Sequence, residues 1–184
     1  RGINQGQVWR SVGEFDSPWT MTVDNNFCGT QCNYDIAVGV DPVNANRVYL
    51  GGNPNMAFGI STDGGLVFNE SSSGVHVDTH AIAVSKSYPS IIYLGTDGGL
   101  YRSINAGATW TSLNNTQFSA TQFHSIATHP TDQNFTIGGT QDNATIFRKP
   151  NGTGIRTSSG DGGHAVIDQS ATDTANVSVY HTIY

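Results

Sequence analysis

Charge is scarce in this sequence, helical periodicity is missing, and so is any long apolar run. Charged residues make up 12% of the 184 and hydrophobic ones 36%. Gly, Ser, Thr and Asn fill the deficit, which suits turn-rich all-β structure rather than helices. No window of about eleven residues carries clean 3.6-residue periodicity. No apolar run approaches the ~20 residues of a membrane-spanning helix. Eight basic residues against fourteen acidic ones leave a formal charge of −6, and the basic ones form no cluster. Nucleic acid and membrane insertion are therefore excluded as expectations. The chain opens at Arg1 without Met or a signal peptide, the expectation for a processed product or an excerpt.

Cysteine is nearly absent too. Cys28 and Cys32 stand four apart in Cys-Gly-Thr-Gln-Cys, which reads either as a local disulfide or as half of a metal or redox site. No second pair completes a zinc set, so the disulfide is the expectation. Six Asn-X-Ser/Thr sequons occur, at Asn69, Asn114, Asn134, Asn143, Asn151 and Asn176. With few lysines and a paired cysteine, they make a secreted, extracellular glycoprotein the expected setting.

What the sequence does contain is a repeat. From His80 to Trp110, short β-branched and aromatic runs alternate with turn signals: Ala81 to Val84, Ile91 to Leu94, Leu100 to Arg102, and a fourth run from Ala108. Strands this short, with this much Gly punctuation, form small antiparallel sheets. Equivalent second strands are marked by Leu50-Gly51, Leu94-Gly95 and Ile137-Gly138, at offsets of 44 and 43 residues. A period in the low forties with four strands per unit means propeller blades. The expected fold is all-β: a β-propeller of four-stranded antiparallel blades, an incomplete segment of about four. Residues 1–14 end one blade, 15–33 form an irregular insertion loop, 34–75, 76–117 and 118–160 are blades, and 161–184 begin another. Val177 to Tyr184 reads as an exposed, alternating edge strand that recruits other strands.

Two segments agree more finely. Ser61-Thr-Asp63-Gly-Gly65-Leu-Val-Phe68 and Ser103-Ile-Asn105-Ala-Gly107-Ala-Thr-Trp110 share Ser-X-Asp/Asn-X-Gly-X-X-aromatic, 42 residues apart. This resembles the Asp-box, or BNR repeat, of sialidase-like, sortilin-like and xyloglucanase-like propellers, over about residues 34 to 170. The resemblance implies that Ser61, Asp63, Gly65 and Phe68, with Ser103, Asn105, Gly107 and Trp110, are structural turn residues.

Chemistry concentrates at His76-Val-Asp78-Thr-His80. In an extended strand these three side chains share one side, and two imidazoles with a carboxylate suit a divalent metal or a polar ligand. His124, Gln141, Asp142, Asp161 and His164 occupy comparable strand entries and join them as candidate ligand-binding residues; otherwise no cofactor is expected. No serine or cysteine nucleophile motif is present. The expected role is an interaction or structural module that meets other blades or copies of itself through open sheet edges, or binds glycans or extracellular protein. Trp19, Phe27 and Tyr34 are candidate contact aromatics. The alternative implied by the xyloglucanase resemblance is a glycoside hydrolase, which needs two carboxylates about 6.5–9.5 Å apart; Asp78, Asp142 and Asp161 are its only candidates.

Overall fold

The computed structural model describes residues 6–14, 16–24, 26–53, 55–115 and 121–183. Expectations that touch Arg1, Thr116, the 117/118 blade boundary and Tyr184 lie outside those residues. The chain forms two compact units, Arg1–Ala120 and Thr121–Tyr184.

The first unit begins with a hairpin of β1 (Gln7–Ser11) and β2 (Trp19–Asp24). A four-stranded antiparallel sheet follows: β3 (Ala37–Val40), β4 (Val48–Gly51), β5 (Gly59–Ser61) and β6 (Asn69–Glu70). A second comprises β7 (Thr79–Val84), β8 (Ile92–Thr96), β9 (Gly99–Ser103) and β10 (Thr111–Ser112). The second unit repeats the pattern with β11 (Phe123–Thr128), β12 (Thr136–Thr140), β13 (Thr145–Arg148) and β14 (Gly154–Arg156). It closes with the pair β15 (Gly162–Ile167) and β16 (Val179–Ile183). Each four-stranded sheet runs in chain order, the meander of a propeller blade. The fold is all-β, a propeller segment with three full blades and two strand pairs among the described residues.

Alternation along β4 explains how one blade serves two neighbours. Its side chains point alternately to opposite faces. Val48 and Leu50 join Val23, Phe27, Cys28, Met56 and Phe68 on one side. Tyr49 points the other way, into a cluster with Phe58, Ile92, Leu94 and Tyr101 of the next blade. All four β4 residues are buried, so the strand reads as a continuous apolar run. In the second unit, Phe135 and Ile137 pack with Ala165 and Ile167.

The segment 15–33 is not the irregular insertion expected from its Asn and Gly content. Trp19-Thr-Met-Thr-Val-Asp alternates and pairs with β1, Ser11 opposite Trp19 and Trp9 opposite Met21. Val23 turns inward while Trp19 and Met21 stay exposed. Phe27, a candidate contact aromatic, is instead core at 1% exposure, because the loop that follows β2 folds under β4. That loop is closed by the expected Cys28–Cys32 disulfide. The fourth strand of the second blade starts at Thr111 rather than Ala108, because residues 103–110 are consumed by a turn.

That turn and its counterpart share one hydrogen-bond pattern. Ser61 Oγ donates to Asp63 Oδ1 (2.7 Å) and accepts from Gly65 N (2.8 Å), while Asp63 Oδ1 accepts from Leu66 N and Val67 N. Ser103 Oγ donates to Asn105 Oδ1 (2.9 Å) and accepts from Gly107 N (2.9 Å), and Asn105 Oδ1 accepts from Thr109 N. Gly65 and Gly107 sit at φ 88° and 89°, a region where a Cβ is strained. Phe68 is buried below its turn, and Trp110 Nε1 donates to Ser71 O (2.8 Å).

The Ser61 hydroxyl, followed by the Val67 amide, holds the Asp63 carboxyl below its usual range. A depressed carboxylate stabilises the fold above its unfolded pKa and loses that contribution as pH falls through the folded one. Since Asn105 fills the same role uncharged, Asp63→Asn should melt like the parent at pH 7 and lose less melting temperature by pH 3. Thermal unfolding at both values checks this, and an unfolded variant at pH 7 would refute the equivalence of Asp63 and Asn105 in their turns.

Of the sequon asparagines, Asn69, Asn134, Asn143, Asn151 and Asn176 are exposed. Asn114 is half-buried and clamps the β8–β9 turn. Its Nδ2 donates to Gly98 O (2.5 Å), and its Oδ1 accepts from Leu100 N (3.1 Å).

Candidate functional site

The segment His76 to His80 is not extended throughout, and this changes the site. Asp78 adopts φ 63°, which few residues without glycine's freedom tolerate. One step on, the β7–β8 ladder carries an irregularity between Thr79 and Ala81, so His80 sits at a bulge, where a strand re-aims a side chain. His76, Asp78 and His80 therefore do not share one side. His76 Nδ1 donates to the Val77 carbonyl (3.0 Å). Asp78 is buried and accepts from Asn53 Nδ2 (3.1 Å). His80 turns to Asp97, which its Nε2 contacts directly, and to Asp35 Oδ1 at 3.6 Å.

Around this pair lies a polar cluster that the sequence reading had not assembled. Gln31, between the two cysteines, donates through Nε2 to Asp35 Oδ2 (2.7 Å) and accepts at Oε1 from Asn53 Nδ2 (2.6 Å). The disulfide loop thus places a side chain that links Asp35 to Asn53 and onward to Asp78. The Tyr34 ring meets the His80 imidazole edge-on, centroids 4.7 Å apart. Asp35 is fully buried. Burial first, and then the neighbouring Asp78 charge, push its carboxyl up to about 7, while His80 opposes the shift. Burial also raises Asp78.

The signal that could have found these residues is the repeat itself. Asn53, Asp97 and Gln141 are spaced 44 apart, each just after a second strand. The partner offset repeats as well: His80 bonds Asp97 and His124 bonds Gln141, both 17 residues on.

A raised carboxyl favours the fold while protonated. Its contribution is complete below the unfolded pKa near 4 and disappears as pH rises through about 7. Stability should therefore fall between pH 5 and 8, a window above the titration of the depressed acids Asp63, Asp168 and Asp173. Asp35→Asn should flatten that decline. Urea midpoints at the two pH values check it; an equal decline in parent and variant would remove Asp35 as the cause.

In the second unit, His124 Nε2 donates to Gln141 Oε1 (2.9 Å), and Asp161 Oδ1 accepts from Asp142 N (2.8 Å). Asp142 is half-buried at φ 56°. His164 is exposed, and its backbone N donates to Thr182 Oγ1 (2.9 Å). Ladder irregularities recur between Phe123 and Ser125 and between Gly162 and Ala165, so His124 and His164 stand at bulges as His80 does. Of the glycosidase candidates, Asp78 is buried against Asp35 and Asn53, and Asp161 is engaged by a backbone amide.

No family model matches this sequence, and no curated protein matches it. Among solved structures the chain is similar to an ancestral GH74 enzyme (14% identity, TM-score 0.42, 88% of this chain and 25% of that one). It is similar to the Niastella koreensis GH74 enzyme (20%, 0.38, 81% and 28%) and to YCF48 bound to D1 peptide (16%, 0.45, 90% and 51%). The chain spans between a quarter and about half of the length of these proteins.

Proposed function

We propose that this chain is a secreted Asp-box propeller segment that works as an interaction module and takes an extended polypeptide strand. The observation that carries the reading is a groove of about 440 Å³ in the first unit, lined by Trp9, Arg10, Val12, Trp19, Val38 and Val40 among others. Trp19 is 64% exposed and Trp9 51%, and large exposed aromatics flanking an apolar groove mark contact surfaces. The hairpin supports the choice of occupant. Full blades here have four strands, whereas β1 and β2 pair only with each other, and β3 is the end strand of its blade, among the described residues. Each keeps an edge with unpaired backbone groups, and such edges template further strands. Copies of this chain or another blade-forming protein are the matching partners. The disulfide and the exposed sequons support an extracellular, glycosylated setting.

Sedimentation equilibrium across the micromolar range, with tryptophan fluorescence, tests the reading. The parent chain should self-associate with a shift in tryptophan emission, and Trp9→Ser/Trp19→Ser should abolish both. A parent that stays monomeric with unchanged emission, or a variant that associates equally well, would overturn it.

A further inference from the structure

Three side chains of the first unit reach one another from separate parts of the chain. Asp35 follows the disulfide loop, and its backbone N donates to Gln31 O (2.9 Å). His80 comes from the β7 bulge, and Asp97 from the β8–β9 turn. One donor atom from each lies within 4.8 Å of the other two, with His80 Nε2 3.6 Å from Asp35 Oδ1. Four ligands held tetrahedrally at about 2.0 Å from an ion stand about 3.3 Å from one another. The Asp35–His80 spacing is already close to that, and Asp97 needs only to back away from its contact with the imidazole.

Two features show that hydrogen bonding does not complete this cluster. Asp35 is fully buried and shares a side-chain hydrogen bond with Asp78, yet its Oδ1 accepts none; Asp97 Oδ2, on a side chain 2% exposed, accepts none either. Bare buried carboxylate oxygens are costly and uncommon in native proteins. A single Nε2–H cannot satisfy both acids, and here it is directed to Asp97. Asp78 beside Asp35 adds further negative charge.

We propose that Asp35, His80 and Asp97 bind a divalent transition-metal ion of the zinc type. One imidazole and two carboxylates suit that class, whereas calcium takes six to eight oxygens. The supporting contacts are those a metal site uses. Gln31 holds the second oxygen of Asp35, and Tyr34 packs against the His80 ring, fixing the orientation of two ligands. His80 is 31% exposed at its side chain, which gives the ion an entry path and leaves a fourth position to water or a polar ligand. The ligand set differs from His76, Asp78 and His80, the trio suggested by sequence spacing.

The full chain, stripped with EDTA and titrated with Zn²⁺ alone by calorimetry, tests this. One saturable site with a rise in melting temperature is expected, and Co²⁺ should give the visible bands of a four-coordinate ion. His80→Gln, Asp97→Asn and Asp35→Asn should each weaken Zn²⁺ binding at least tenfold with far-UV circular dichroism unchanged. His164→Ala, an exposed histidine in the other unit, should leave binding intact. Three separate ligand variants keep the test decisive if one of them fails to fold. No saturable uptake, uptake indifferent to the ligand variants, or uptake lost in His164→Ala would overturn the proposal.

Discussion

Phe58→Ala is expected to destabilise the first unit by about 3–5 kcal/mol, the range for removing a fully buried aromatic. The ring is 0% exposed, stacked on Tyr49 with centroids 5.7 Å apart and met edge-on by Trp110 at 4.7 Å. On another side it touches Gly107, where an added Cβ would come within 2.5 Å of its Cε1. Gly107 is also held from the same blade as Phe58, because Ser71 Oγ donates to its carbonyl at 2.7 Å. The ring therefore fills the space between one blade and a turn of the next, and the Tyr49 and Trp110 rings and the Gly107 backbone limit collapse into the hole. Against a typical total of ~5–15 kcal/mol, that loss is a large fraction. Urea unfolding measures it, with Phe58→Leu as a milder companion. A loss below about 1 kcal/mol would show that the two blades are not joined through this residue.

Gly139→Ala should be worse for the second unit. A Cβ on Gly139 would lie 1.9 Å from Gly163 O and 2.7 Å from Gly162 C. These are backbone atoms and cannot rotate away, so β12 and β15 would have to separate, breaking the Phe135, Ile137, Ala165 and Ile167 cluster. Overpacking by a methyl commonly costs 1–3 kcal/mol where side chains can adjust; here the cost should exceed about 3 kcal/mol. The control is Gly154→Ala, in a strand with open space around it, expected within about 0.5 kcal/mol of the parent. Hydrogen exchange separates the units: protection should fall in residues 121–183 and persist in β4 and β8. Equal stability of the two variants would refute the close backbone packing.

The blades were legible in the sequence because their signals are local. Leu-Gly and Ile-Gly within second strands, the Ser-X-Asp/Asn-X-Gly turns and the paired cysteines each act within a few residues. β2 was not, because Asn-rich flanks hid a six-residue alternation that becomes a strand only by pairing with β1. The polar cluster was misassembled for another reason. Spacing by two implies a shared side only in unbroken extended backbone, and Asp78 at φ 63° followed by the bulge at His80 breaks that premise. Asp35 and Gln31 are not legible as site residues because they join His80 and Asn53, 45 and 22 residues away, through an irregular loop closed by the disulfide.

The recurring bulges have a consequence for how such a chain can diversify. A residue at a ladder irregularity is uncoupled from the regular pairing on either side, so its replacement leaves strand register alone. Its contact lies 17 residues on, in the following turn, and is an acid in one blade (Asp97) and an amide in another (Gln141). The two blades that contain β7 and β11 thus carry an exchangeable two-residue cassette at one strand end. Drift can rewrite the charge there blade by blade, while the apolar alternation that defines the blade stays under separate selection.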